Sequence, residues 1–171
     1  MTFSTCDLCD AHKADDSGAL RVLPGGALAS FGGLARFAGP VATVLCLDDN
    51  SRVKEAVESP GQGRVLVVDG GGSRRRALLG GNLAAAAARN GWAGIVIDGC
   101  VRDVAELAAA QVGILALAAM PLPTDRKGQG LADVAVRVRG VDVRPGDWLY
   151  ADADGVVISA AAPADDPARP R

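Results

Sequence analysis

Residues 64–99 read RVLVVDGGGSRRRALLGGNLAAAAARNGWAGIVIDG, and the order of apolar runs and glycines in this stretch decides the fold. Residues 64–69 (RVLVVD) are continuously apolar between their charged ends, the pattern of a strand covered on both faces. The run opens into Gly70-Gly71-Gly72-Ser73, after which residues 75–79 predict a short helix or turn. Residues 83–90 (LAAAAARN) predict a helix: Asn82 is placed to cap its start, and Gly91 suits the left-handed position after its end. Residues 92–97 return to an apolar strand that stops at Asp98-Gly99.

The same alternation extends outward. Residues 39–47 (GPVATVLCL) are apolar and β-branched, ending at Asp48-Asp49-Asn50; residues 51–58 predict a helix stopped by Ser59-Pro60-Gly61. A helix over 102–110, a strand over 112–118 and a loop over 121–130 follow. Residues 131–138 set Val134, Val136 and Val138 against Arg137, as a half-exposed antiparallel strand does, and 148–151 with 156–159 form a hairpin around Asp154-Gly155. At the other end lie a short helix over 4–14, an extended piece over 20–23 and a turn at Phe31-Gly32-Gly33. A strand-helix middle with mostly β ends gives an α/β single domain with a mixed sheet over residues 1–160. Residues 161–171, rich in Ala, Pro and Asp, read as a disordered tail.

Composition narrows the function. With 18 Lys+Arg against 20 Asp+Glu, the net charge of −2 argues against nucleic acid as a direct partner. Arg74-Arg75-Arg76 is the one basic cluster, a solvated loop or a phosphate or partner contact. The longest apolar stretch, 107–120, is broken by Gln111 and Gly113 and is shorter than the roughly 20 residues a membrane helix needs. The first twelve residues carry no apolar block, so no signal peptide and a cytoplasmic location are expected. Cys6 and Cys9 form a CxxC with His12 nearby, but a tetrahedral zinc site needs further ligands, and small apolar cysteines are the better reading.

Two junctions carry the chemistry. At Gly80-Gly81-Asn82-Leu83, glycines before a helix expose backbone N–H groups at its positive end, which suits a carboxylate or phosphate as well as a plain turn and cap. At Asp98-Gly99-Cys100-Val101-Arg102-Asp103, Arg102 offers a planar fork for a carboxylate or enolate oxygen. Asp103 offers a hard oxygen ligand for Mg²⁺ or Mn²⁺. Taken alone, the pair also fits a solvated helix start.

Three segments join these junctions to a known pattern: RVLVVDGGGSRRRAL (64–78), GGNLAAAAARNGWAGIVIDGCVRDVAEL (80–107) and GDWLYADADGVVIS (146–159). They resemble the RraA-like family, which holds regulators of ribonuclease E and class II 4-hydroxy-4-methyl-2-oxoglutarate aldolases. The resemblance implies a compact αββα-type sandwich with a swivelling-domain-like core, assembled as a homotrimer with sites near subunit contacts. It implies that the backbone of Gly80, Gly81, Asn82 and Leu83 holds a substrate carboxylate. Arg102 would bind substrate and stabilise the enolate. Asp103 would be the catalytic metal ligand, largely through waters, for a divalent cation such as Mg²⁺ or Mn²⁺. Glu106, one turn on, would stand behind the metal's own ligands.

The implied reaction is retro-aldol cleavage of 4-hydroxy-4-methyl-2-oxoglutarate to two pyruvates, with oxaloacetate decarboxylation through the same pyruvate enolate. The alternative is a protein-binding inhibitor of ribonuclease E. Regulators need not bind metal, and their best-known type lacks the aspartate after the arginine, so Asp103 favours the lyase. Three features depart from the aldolases: the short chain, Gly81 where an acidic residue often stands (for which Glu106 could compensate), and no clear helix after Ser159.

Overall fold

The computed structural model describes residues 3–162. The elements are α1 (Thr5–His12), β1 (Leu20–Val22), β2 (Ala29–Ser30), β3 (Phe37–Leu45), α2 (Ser51–Glu58), β4 (Val65–Leu79), α3 (Gly81–Arg89), β5 (Gly94–Val101), α4 (Val104–Ala109), β6 (Gly113–Ala119), β7 (Leu131–Ala132), β8 (Val136–Val138), β9 (Val141–Val143), β10 (Trp148–Ala151) and β11 (Val156–Ser159). The main sheet runs β1-β11-β10-β3-β4-β5-β6-β2, with β7 paired to β3. Its centre, β3-β4-β5-β6, is parallel and its flanks are antiparallel, so the sheet is mixed as expected. The tail expected over 161–171 lies, but for its first two residues, outside the described residues. Among those described, no helix is long and apolar enough to cross a membrane.

Three clusters of buried side chains show how the sheet is covered. On the outer face of the parallel half, Leu66, Val68, Ile95 and Ile97 pack against Val53 and Val57 of α2, Leu83, Ala84 and Ala87 of α3, and Leu107 of α4. The alanines of α3 let that helix approach closely. Alternate residues of the same strands, Val65, Val67 and Val96, face inward to meet Leu149, Ala151, Val156 and Ile158 of the β10–β11 hairpin and Val136, Val138 and Val143 of β8–β9. On the far side of that hairpin, Tyr150 and Val157 receive Leu8 and Cys9 of α1. The layers are therefore helix, sheet, sheet and helix, with period-2 alternation assigning each residue to the inner or outer core. Tyr150 and Leu66 are among the largest fully buried side chains, so a chain with 4% aromatics fills its interior mainly with aliphatics.

Several local expectations are corrected. Residues 75–79 are the second half of β4, and neither helix nor turn. Gly71 and Gly72 take left-handed φ values of 64° and 68°, which lets the strand bulge and rejoin β5, where Ser73, Ala77 and Leu79 pair with Gly99, Cys100 and Val101. Burial of Ala77, Leu78 and Leu79 overrides their helical propensity. Strand β5 likewise passes through Asp98-Gly99 to Val101. Asn82 is not the cap of α3: Gly80 is, with no side-chain cap bond. The strand expected over 131–138 breaks at Asp133, whose φ is 56°, into β7 and β8. Strands β2 and β9 were not anticipated. The β8–β9 turn uses left-handed Arg139 and Gly140, a hairpin geometry that sequence reading expects at Asn-Gly.

Candidate active site

The two junctions meet because β4 and β5 are parallel neighbours. Parallel pairing sets their carboxyl ends side by side, and the last register pair, Leu79 with Val101, puts Gly80 next to Arg102. The Arg102 N–H donates to the Leu79 carbonyl at 2.9 Å, fixing that adjacency. A crevice at the carboxyl ends of parallel strands is where open α/β sheets place their ligands.

Arg102 lies in the link between β5 and α4. Asp103 caps α4 from a left-handed backbone, φ 60° and ψ 48°. Such a conformation is unfavourable for most residues with a side chain, though aspartate tolerates it better than most. It turns the carboxylate back onto the other junction, where Asp103 Oδ2 accepts the Gly81 N–H at 3.0 Å. Arg102 Nε lies 3.8 Å from the same oxygen, with the side chains 41% and 39% exposed, so the ion pair is weak and both groups face the cavity largely uncommitted.

The glycines are required by space. A Cβ on Gly80 would stand 2.7 Å from Asp103 Oδ2, and one on Gly81 would fall on the Glu106 carboxylate and within 2.9 Å of Glu106 Cβ. Glu106 therefore occupies the room that a side chain at position 81 would take. It does not line the cavity itself; it approaches the glycine turn from the α4 side. With the Gly81 N–H given to Asp103, the leading N–H groups of Asn82 and Leu83 remain to meet a ligand, as the first N–H groups of any helix do.

These groups open on a cavity of about 540 Å³ lined by Gly80, Gly81, Asn82, Leu83, Arg102 and Asp103 on one side. Its other wall was missed by sequence reading: Asn50 at the start of α2, and Thr124 and Arg126 in the loop after β6. Asn50 is buried, donates to the Leu78 carbonyl at 3.0 Å, and accepts from Thr124 Oγ1 at 2.7 Å and from Arg126 Nε at 3.0 Å. Its contacts with Thr124 and Arg126 join residues more than seventy positions apart, so no local motif announced them.

Asp49 builds that wall. Its carboxylate accepts from the Ser51 N–H and hydroxyl at 2.8 and 2.6 Å, and from the Lys127 and Gln129 N–H groups at 2.8 and 3.2 Å. Burial alone would raise its pKa, but these hydrogen bonds outweigh burial and hold it down to about 2. The Gly128 N–H adds a bond to Ser51 Oγ, Arg52 bonds the Gly128 and Gly130 carbonyls, and Arg76 bonds the Pro123 carbonyl.

The donor set can be tested against a metal. Among the described residues no three His, Cys, Asp or Glu side chains converge as a cage would require. One free carboxylate oxygen at Asp103, with water and substrate oxygens completing the shell, suits Mg²⁺ or Mn²⁺, which hold several waters. The residues fit such an ion and do not fit structural zinc. The CxxC fits neither zinc nor an activated thiol. Cys6 is exposed, with its pKa raised chiefly by the nearby Asp154 charge, and His12 Nδ1 is bound to the Leu8 carbonyl. Of the arginine cluster, Arg75 is paired with Asp48 at 2.6 Å.

The model of the RraA-like family, described as Aldolase/RraA, matches residues 5–158. The chain belongs to the RraA-like family. A relative from Albidiferax ferrireducens, provisionally named 4-hydroxy-4-methyl-2-oxoglutarate aldolase, is 66% identical over 93% of this chain and 96% of its own length. Among solved structures, the RNA-processing inhibitor RraA of Thermus thermophilis is 45% identical with a TM-score of 0.90, covering 98% of both chains. A Geobacillus kaustophilus protein described as an S-adenosylmethionine: 2-dimethylmenaquinone methyltransferase is 44% identical with a TM-score of 0.86, covering 94% of this chain and 96% of its own. One fold thus carries three names among these similar proteins, so the fold alone does not decide the function.

Proposed function

We propose that this RraA-like chain is a divalent-metal-dependent lyase. It would cleave 4-hydroxy-4-methyl-2-oxoglutarate to two pyruvates and decarboxylate oxaloacetate through the same pyruvate enolate. The observation that carries this reading is Asp103, turned by its left-handed backbone onto the Gly81 N–H beside Arg102 at the cavity wall. The name of the 66% identical relative supports the aldolase half.

In this reading the Asn82 and Leu83 N–H groups hold the C1 carboxylate, which places the 2-oxo oxygen against the Arg102 guanidinium. Asp103 is the residue that would hold Mg²⁺ or Mn²⁺; bound there, the ion would polarise the 2-oxo group and share the charge that develops on it. The C4 hydroxyl gives its proton through cavity water to solvent. The C3–C4 bond breaks, one pyruvate leaves, and the electron pair passes into the enolate of the other. Arg102 donates to that enolate oxygen, and C3 then takes up a proton. With oxaloacetate the same bond releases CO₂ and no hydroxyl proton is needed. A cytoplasmic homotrimer is part of the same proposal.

Purified protein with Mg²⁺ or Mn²⁺ is expected to release pyruvate from oxaloacetate faster than the metal alone, and EDTA is expected to stop it. Equal rates with and without protein would end the lyase reading. The second reading, inhibition of ribonuclease E by direct binding, is favoured by the 45% identity to an RNA-processing inhibitor. It would be excluded by a pull-down showing no capture of the ribonuclease at micromolar protein.

A further inference from the structure

The wall opposite Arg102 contains an arginine whose orientation is built and whose charge is unanswered. Arg126 is tethered through Nε to the neutral amide oxygen of Asn50, and Asn50 is itself fixed by the Leu78 carbonyl and the Thr124 hydroxyl. No carboxylate among the described residues pairs with Arg126, whereas Arg52, Arg75 and Arg139 are each paired. The loop that carries it is surface-exposed, yet the Asp49 carboxylate, the Ser51 hydroxyl and the Arg52 guanidinium hold its backbone at residues 127–130. A planar guanidinium held by its inner nitrogen, with its outer N–H groups unpaired at a cavity, is a receptor for a second carboxylate.

Position selects Arg126 over the other cations of the cavity. Lys54 is paired with Glu58 at 2.6 Å. Arg89 stands eight residues beyond Gly81 along α3, about 12 Å at 1.5 Å per residue. The carboxyl carbons of a four- or five-carbon diacid span no more than about 6 Å. Arg126 is linked through Asn50 to Leu78, two residues before the glycine turn that takes the first carboxylate.

We infer that Arg126, positioned by Asn50, binds the distal carboxylate and makes this site selective for 2-oxo dicarboxylates over 2-oxo monocarboxylates. The inference rests on the reading that the cavity takes 2-oxo acids, and its test uses binding so that it reports without turnover.

Calorimetric titration of the protein in Mg²⁺ compares 2-oxoglutarate with 2-oxobutanoate. The wild type is expected to prefer the diacid by about tenfold or more, the scale of one charge-assisted hydrogen-bonded pair. Arg126→Gln is expected to remove the preference by weakening diacid binding alone. Arg126→Lys should retain part of it, because the charge remains while the fork is lost. The inference is overturned if the wild type shows no preference, if neither acid binds at millimolar concentration, or if Arg126→Gln weakens both acids equally. An intact preference in a protein that releases no pyruvate would support this inference while ending the lyase reading.

Discussion

Asp103 lines the cavity and Asp49 lies behind its far wall, holding the backbone of that wall's loop, and the two carboxylates are used in opposite ways. Asp49 is buried, spends its oxygens on four hydrogen bonds, and is held ionised down to about pH 2. Asp103 is 39% exposed, accepts one N–H, sits on a strained backbone and makes only a long ion pair. A carboxylate saturated by its own protein can hold a loop in place but cannot take a new ligand. One left with a free oxygen at the cavity wall, at a conformational cost of order 1 kcal/mol, can. The contrast separates a carboxylate that positions a loop from one left open to a ligand.

The contrast can be broken from either side. The largest effect is expected at Arg102→Ala, which on the proposed function removes the donor to the developing enolate. Pyruvate release should fall about 10²–10³-fold while the melting temperature stays within a few degrees, because the side chain is partly exposed and makes only a long ion pair. A large loss of stability instead would make Arg102 structural.

Asp49→Ala should show the reverse pattern. Leaving its buried partners without an acceptor should cost about 1–3 kcal/mol and lower the melting temperature by several degrees, measured by calorimetry without substrate. An unchanged melting temperature would show that the loop after β6 does not depend on this clamp.

Gly81→Ala sharpens the picture at the turn. Alanine alone would favour a helix by up to about 1 kcal/mol, but here its Cβ meets Glu106. Catalysis should drop about tenfold or more as α4 and Asp103 shift, with little change in stability. A variant more stable and equally active would mean that Glu106 has room to withdraw.

The smallest effect concerns acid. The folded pKa of Asp49 lies below the ordinary carboxylate value of 3.8, so its contribution to stability is complete above about pH 4 and is lost as pH falls towards 2. Asp152, lowered against its burial by the Thr5 hydroxyl and N–H, acts in the same direction. In Asp49→Asn, the fall in melting temperature between pH 4 and pH 2 should be shallower than in the wild type. Parallel curves would remove Asp49 from the acid response.

What the sequence revealed follows the range of the forces involved. The parallel strands, α2 and the β10–β11 hairpin were legible because hydrophobic period and turn residues act over a few positions. The two junctions, Gly80–Leu83 and Arg102–Asp103, were tied together only by the family resemblance, and the structure brings them side by side. The second half of β4 was misread because Ala77-Leu78-Leu79 favour a helix locally and are drawn into the sheet by burial. Asn82 was misread as a cap because nothing local shows that Asp103, twenty-two residues on, reaches the Gly81 N–H. The Asn50–Thr124–Arg126 wall was invisible for the same reason at longer range.

The central claim is that Asp103 serves catalysis rather than folding, and Asp103→Asn tests it most directly. Asparagine keeps an oxygen for the Gly81 N–H and tolerates the left-handed backbone, so the fold should survive. Metal-dependent pyruvate release from oxaloacetate should fall at least about hundredfold with the melting temperature unchanged. Release within a few-fold of wild type would contradict the account.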